Sequence, residues 1–387
     1  MKNRTWAEID LDALTHNFNE IRRVTSPDAK ILAVVKADAY GHGAVEITKT
    51  LIDNGADYFA VACINEAKQL RRANINYPIL ILGTTQESDC EDLVLNSITP
   101  TVYSLDFAEK LSKTAVKLNE KIKIHIKIDT GMSRIGYVAG IDDEAVCDEI
   151  LKISALENIE IEGIFSHFST SDEYERSYTE LQFKRFTDLC DLLKQKGLDI
   201  PLKHIANSGA IMMHPNTHLN MVRAGIILYG LYPSEEVDKT KISLKPVMSV
   251  KSKISMVKEL EENRGVSYGK TYITNQQTKI ATVPIGYADG YTRVLSGIAK
   301  MAVHNEPVPV IGRICMDQCM INVTNVNTIN TGDEVIVFGA DVVTADDLAK
   351  WIGSINYEIV CMLSMRIPRI YLKNGKAVKT LDYLSIL

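Results

Sequence analysis

Between residue 30 and about residue 230, short runs of branched apolar residues alternate with longer amphipathic stretches. The runs start at Ile31, Asp57, Pro78, Ile98, Ile122, Ile159, Leu202 and Asn220. Short apolar runs of this kind suit the strands of a parallel sheet buried on both faces. The intervening stretches carry helical spacing at 44–54, 65–73, 105–120 and 174–196. Asn65 and Asp106 are candidate N-caps, and Gly197 is a candidate stop. Strands and helices alternating over roughly 200–250 residues form the pattern of a (β/α)8 barrel. A doubly wound open sheet gives the same alternation, because periodicity does not report closure.

Beyond about Tyr232 the pattern changes. Segments 249–260, 279–285, 307–312, 320–323 and 333–338 read as strands separated by turn residues. One helix is predicted over 345–352, capped by Thr344. The expected fold class is therefore α/β: an N-terminal (β/α)8 TIM-type barrel at 1–235 and a C-terminal, mainly β domain at 236–387. Within residues 1–10, a strand-like piece at 5–9 is expected to pair with the second domain.

Composition narrows the function classes. The 387 residues are 46% hydrophobic and 24% charged, as in a soluble globular protein. A net charge of −6, from 43 basic and 49 acidic residues, gives no basic excess for nucleic acid or a membrane surface. No stretch approaches the roughly 18 apolar residues of a membrane helix, and the first eight residues contain no apolar signal core. The seven cysteines are dispersed. Cys315 and Cys319 lack the neighbours of a zinc site, so no metal is expected. Unpaired, scattered thiols suit the reducing cytoplasm.

Candidate chemistry gathers at the strand ends. Lys36 follows the run Ile31-Leu32-Ala33-Val34-Val35 and opens the octapeptide Lys36-Ala37-Asp38-Ala39-Tyr40-Gly41-His42-Gly43. The carboxyl end of a strand is where barrels keep their chemistry, and a lysine amine there can form a Schiff base with a carbonyl compound. The same position also suits a solvated lysine where strand meets loop. The fifth strand supplies Lys127, which alternates with apolar residues and reads as outward-facing, followed by Arg134. The sixth ends in Ser166-His167, the seventh in Asn207-Ser208-Gly209, and the eighth contains Arg223-Ala224-Gly225-Ile226. A histidine such as His167 is often a hydrogen-bonded core residue. Arg223 lies in an apolar stretch, where an unpaired charge is costly, so a paired or functional role is favoured. A hydroxyl at Ser208 and a backbone N–H near Gly225 fit a phosphate cradle on the last two strands. A lysine, a phosphate cradle and a buried arginine together suggest pyridoxal 5′-phosphate (PLP).

The chain resembles the alanine racemases, fold-type III PLP enzymes, along essentially its whole length. The motifs that carry the resemblance are the octapeptide with Val34-Val35 before it, Lys127-Ile128-Asp129-Thr130-Gly131-Met132, Ala206-Asn207-Ser208, Arg223-Ala224-Gly225-Ile226, Ser267-Tyr268-Gly269, Gly286-Tyr287-Ala288-Asp289-Gly290, Cys315-Met316-Asp317-Gln318 and Ile355-Asn356-Tyr357-Glu358. The resemblance implies a homodimer whose C-terminal domains complete each other's active sites. It makes Lys36 the PLP anchor and one catalytic base, and Tyr268 of the other subunit the opposite base. Tyr40, Asn207, Ser208, Gly225, Ile226 and Tyr357 are implied in cofactor binding, with Arg223 at the pyridine nitrogen and His167 between Arg223 and Tyr268. Arg134 and the Met316 backbone are implied to hold the substrate carboxylate. Lys127 matches a lysine that is carbamylated in many members. Tyr287, Arg293 and Arg313 match residues of the substrate corridor.

Racemisation suits such a set. It removes a proton from one face of Cα and returns one to the other, which two opposed acid–base groups do most directly. The implied substrate is alanine, and the implied role is D-alanine supply for peptidoglycan. Three alternatives remain: a decarboxylase of the same fold type, a serine or broad-specificity racemase, and a non-catalytic PLP-binding protein.

Overall fold

The computed structural model describes residues 4–385. The chain divides into two compact units. One contains Thr15–Ala39 and Ala44–Leu244. The other contains the described residues up to Leu14, the segment Tyr40–Gly43, and the chain from Lys245 onward.

The first unit is a closed parallel barrel. Its strands are β1 (Lys30–Val34), β2 (Tyr58–Val61), β3 (Ile79–Ile81), β4 (Thr101–Val102), β5 (Ile122–Asp129), β6 (Ile159–Phe165), β7 (Leu202–His204) and β8 (Met221–Ala224). The pairings run β8-β1-β2-β3 and β4-β5-β6-β7. A parallel bridge between Leu80 and Thr99 joins β3 to the start of β4. Backbone bonds from Arg223 N to Ala206 O (2.9 Å) and from Asn220 N to Lys203 O (3.2 Å) join β8 to the β7 end. The ring therefore closes, which excludes the open doubly wound sheet.

Four of its helices follow the predicted periodicity: Ala44–Asp53, Ile64–Arg72, Leu105–Leu118 and Ser177–Gln195. Gly197 follows the last with φ +96°, the left-handed stop a glycine supplies. The two candidate N-caps are corrected. Ser104, not Asp106, caps its helix by accepting from Phe107 N, and Asp106 sits in the first turn. Cys63 holds the N-cap position before Ile64, with Asn65 already inside the helix.

Lys127 also departs from expectation. In β5 the isoleucines at 122, 124, 126 and 128 occupy one face, while Lys123, His125, Lys127 and Asp129 share the other. Lys127 is 5% exposed and lies over the Phe165 ring on β6. The polar face of β5 thus turns into the barrel. Alternation alone does not say which face is inside when both are buried.

In the second unit a ten-stranded sheet carries the strand Thr5–Asp10. It lies antiparallel to Met248–Lys253 and parallel to Arg369–Lys373. The helix Ala345–Ile352 starts at Thr344 with a reciprocal capping box to Asp347. A second helix, Asn356–Cys361, has only six residues, too few to show a period in sequence. Within this unit, fully buried Arg369 holds the segment Tyr40–Gly43. It donates to the carbonyls of Gly41 (3.0 Å), Ser364 (2.8 Å) and Leu363 (3.1 Å). Gly41 has φ +80°, and a Cβ there would stand 2.3 Å from the Val360 carbonyl oxygen, so only glycine fits.

Replacing Arg369 by leucine orphans these buried carbonyls. R369L is expected to lower unfolding stability by about 3 kcal/mol. Urea denaturation followed by circular dichroism checks this, and a change below about 0.5 kcal/mol would contradict it.

Candidate active site

Lys36 lies two residues past the end of β1 and is half-buried. The chain then does something no sequence rule anticipates. Ala37, Asp38, Ala39 and Tyr40 all take left-handed conformations, with φ of 51°, 53°, 54° and 53°. Each such residue costs roughly 1–2 kcal/mol, so the turn must be held from outside. The Glu66 carboxylate accepts from Ala37 N (2.7 Å) and from Ala62 N at the end of β2 (2.7 Å). Asp38 Oδ1 accepts from Ala44 N (2.8 Å), and Ala39 N bonds back to Val35 O (2.9 Å). Glu66 therefore fixes the peptide immediately after Lys36, and with it the direction in which that side chain leaves the strand.

The ends of β6 and β7 and the residues after them converge on Arg223 of β8, which is 3% exposed. Its Nη1 donates to the carbonyl (3.2 Å) and Nδ1 (3.1 Å) of His204. Its Nη2 donates to Ser166 O (2.7 Å), Ile205 O (3.0 Å) and His167 Nδ1 (2.9 Å). No carboxylate pairs with it among the described residues. Its Nε has no protein acceptor among the described residues and is not a sealed buried atom. One N–H donor of a buried cation is thus left for something the chain does not supply. Burial, reinforced by the charge of Arg134, lowers the Arg223 pKa to about 9. Burial and then Arg223, with Arg134, Lys127 and Lys36 adding, push His167 well below its usual value. His167 is therefore neutral, with its proton on Nε2 because Nδ1 faces a donor.

Lys127 shares this electrostatic setting. Its Nζ donates to Ile128 O (2.8 Å). Burial first, then Arg223 and Arg134, lower its pKa to about 7, against the pull of Asp129. A fraction of this amine is neutral and nucleophilic at physiological pH.

On the last two strands, buried Ser208 accepts from Gly225 N (3.1 Å). Its own O–H remains available to donate. Asn207 caps the short helix Ser208–Met213, accepting from Ala210 N (3.0 Å) and Ser171 Oγ (2.7 Å). Ile226 is fully buried and opens the turn Ile226–Tyr229.

The remaining sequence candidates lie in the second unit. Tyr268 is 71% exposed, on a single turn that follows Ser267 at φ +62°. Ser267 Oγ donates to Arg313 O (2.6 Å), and the Arg313 guanidinium lies over Gly269. Tyr287 N and Ala288 N bond to the carbonyls of Cys315 (3.1 Å) and Met316 (3.0 Å). Tyr268, Tyr287, Arg313 and Met316 thus belong to one set of linked loops, with Tyr287 and Met316 exposed. Arg293 is exposed on the turn Arg293–Leu295. Tyr40 and Tyr357 stand with ring centroids 6.1 Å apart.

Sequence reasoning missed Glu66, His125 and Glu162, and it placed His204 at the end of the seventh strand without giving it a role. The first gives no local signal. The polar members of β5 had one: strict Ile-X-Ile-X alternation within a sheet buried on both faces means that one buried face is polar.

Fold and site define an enzyme of the (β/α)8 class, carrying a strand-end lysine and a carboxylate-free arginine, with a β-rich second unit. Residues 9–233 match the family described as Alanine racemase, N-terminal domain, and residues 247–371 match Alanine racemase, C-terminal domain. The alanine racemase of Methanococcus maripaludis is 52% identical over 370 residues, covering 95% of this chain and 98% of that protein. The alanine racemase structure from Clostridium difficile 630 superposes with a TM-score of 0.96 at 47% identity, covering 99% of this chain and 100% of that one. That of Bacillus anthracis with bound L-Ala-P gives 0.93 at 36% identity, with both chains fully covered. The chain belongs to the alanine racemase family of enzymes.

Lys127 makes a pH-dependent demand on stability. Its folded pKa lies below the usual value of about 10.4, so the folded state releases this proton first. The penalty for burying the ammonium is full below about pH 7 and disappears as pH rises to about 10. In CO2-free buffer K127M is expected to exceed the parent by about 3 kcal/mol near pH 6, with the gap closing near pH 10. Urea unfolding across that range tests it; a pH-independent gap would refute the assignment.

Proposed function

We propose that this alanine racemase works with PLP at the carboxyl end of the barrel, with Lys36 and Tyr268 of a second copy as opposed acid–base groups. The observation that carries the cofactor reading is Arg223: a buried cation with four N–H donors engaged and Nε left over. That donor fits a neutral ring nitrogen. The half-buried Lys36 amine fits the aldehyde carbon, and the Ser208 hydroxyl beside Gly225 N fits the phosphate. On the family pattern Asn207, Ile226, Tyr40 and Tyr357 complete the cofactor set. When bound, PLP supplies the electron-withdrawing ring that acidifies the alanine Cα–H.

The protein's own groups do the rest. Lys36 holds or takes a proton on one face of Cα. Tyr268 does so on the other. An unperturbed tyrosine titrates near pH 10, so its phenolate needs a positive neighbour. That charge is the Arg223 guanidinium, and neutral His167 links the two by donating to the phenolate through Nε2 while its Nδ1 accepts from Arg223. Arg134 holds the alanine carboxylate, with the Met316 N–H of the second copy. The exposure of Tyr268, Tyr287 and Met316 supports a homodimer in which these loops meet another chain's barrel. Tyr287, Arg293 and Arg313 line the approach.

The neutral fraction of Lys127 can attack CO2. The amine nitrogen forms the new N–C bond, one proton leaves, and a carbamate anion results beside Arg134. Family membership and seven cysteines that form no disulfide with one another support a cytoplasmic enzyme whose product feeds peptidoglycan.

The full-length holoenzyme is expected to interconvert L- and D-alanine, read by chiral chromatography, and K36A to lose at least about 10³-fold. A parent enzyme that leaves either enantiomer unchanged would sink the reading. Y268F is expected to retain PLP absorbance while losing Cα–H exchange with D2O from one enantiomer only. Equal, near-normal exchange from both, followed by proton NMR, would remove Tyr268 from its role.

A further inference from the structure

Behind Arg223 the barrel interior contains a chain of polar groups that the racemase reading does not use. His204 Nε2 meets His125 Nδ1 at 2.9 Å. His125 Nε2 meets Glu162 Oε2 at 3.4 Å. The same oxygen accepts from Tyr58 Oη (2.8 Å), and Glu162 Oε1 accepts from Lys123 Nζ (2.6 Å). Both imidazoles are fully buried.

The backbone is shaped for this chain. Between Ile124 opposite Ile161 and His125 opposite Gly163, β6 carries one extra residue, Glu162. Such a bulge re-aims a side chain, and here it turns Glu162 toward His125. Gly163 leaves the room: a Cβ there would stand 2.5 Å from the His125 ring. His204 stacks on Phe165 at 4.9 Å with the planes 5° apart.

Proton counting fixes the direction. Arg223 can only donate, so His204 Nδ1 must accept and its proton sits on Nε2. His125 Nδ1 must then accept, and its proton sits on Nε2, facing Glu162. Glu162 can only accept. Each ring carries one proton because burial holds both imidazoles below their usual pKa. Burial alone would raise Glu162, but hydrogen bonds from His125, Lys123 and Tyr58 bring it to about 2, so it stays ionised. The reverse tautomers would set an N–H of His204 against the guanidinium, a clash of donors.

We propose that Glu162, acting through His125 and His204, is a positioning residue for Arg223: it keeps both rings protonated at Nε2, so that His204 offers the guanidinium only an acceptor. This rests on the reading that Arg223 Nε faces the cofactor ring. It supplies negative charge across two neutral rings without engaging Nε.

The test uses the full-length holoenzyme labelled with [15N]histidine, with signals assigned through H125Q and H204Q. Two-bond 15N–1H correlation is expected to show protonated Nε2 and bare Nδ1 at both rings. In E162Q, Lys123 holds the amide oxygen and turns the NH2 toward His125, which then must accept. The reversed tautomer is expected to appear, and kcat to fall about tenfold while KM changes less than about twofold. In E162Q/K123M the amide is free to flip, and the original tautomers and most of kcat are expected to return. A proton on Nδ1 of either ring in the parent enzyme would overturn the proposal. So would E162Q with unchanged tautomers and unchanged kcat. If E162Q does not fold, the parent tautomers decide. A parent enzyme with the expected tautomers but no racemisation would uphold the chain and overturn the reading of the site.

Discussion

The structure of the barrel interior depends on keeping one guanidinium charged at 3% exposure without a carboxylate beside it. Moving such a charge out of water costs several kcal/mol unless hydrogen bonds replace the lost solvent. Arg223 recovers them from three carbonyls and two imidazole nitrogens. Those acceptors come from the ends of β6, β7 and the loops after them, so these segments must converge on β8. After burial, the same charge is the next largest influence holding His167 and His204 neutral and depressing Lys127. The perturbed titrations of the site thus have one common source besides burial.

A second constraint concerns direction. A lysine leaving a strand end has four rotatable bonds and no intrinsic aim. Four consecutive left-handed residues after Lys36 are costly, and Glu66 offsets part of that cost with two charge-assisted hydrogen bonds to backbone N–H groups. Strain of this kind persists only where the surroundings over-determine it, and it concentrates at functional sites. The last four residues of the octapeptide belong to the other unit, held there by Arg369 and by Tyr371, whose hydroxyl bonds to His42 O. The octapeptide motif therefore encodes two anchorages as well as a strand-end lysine.

Much of this was legible in the sequence. Each of the eight apolar runs carries a barrel strand, because full burial on both faces leaves no polar alternation to confuse the pattern. Lys36 and Arg223 stood out because charge is rare where they lie. The remainder depended on residues distant in sequence. Nothing in Ala37-Asp38-Ala39 marks a left-handed turn; Glu66, about thirty residues on, imposes it. Lys127 read as outward-facing because alternation fixes two faces but not which is inside. Asp106 and Asn65 read as caps because their residue types allow it, and helix starts are set by which side chain meets a free N–H. Glu162 reads as a surface residue unless the bulge that re-aims it is known. Barrel closure required the junctions at Thr99 and Ala206, which no periodicity contains.

The choice of arginine at β8 explains why the polar chain is as long as it is. A carboxylate touching Arg223 would satisfy the charge more cheaply, but a bidentate pair would capture donors and set their geometry. Nε would then be bent toward the carboxylate or blocked. Carbonyls and neutral imidazoles accept hydrogen bonds without that pull. Glu162, three hydrogen bonds away, still biases every proton between itself and Arg223, because each ring can pass on only one orientation. An arginine held this way keeps its own proton. On the proposed reading of the site it polarises an acceptor at Nε without protonating it, which suits a proton exchange that must stop short of side reactions. The length of the relay follows from that requirement: near enough to order the protons, far enough to leave the last donor unclaimed.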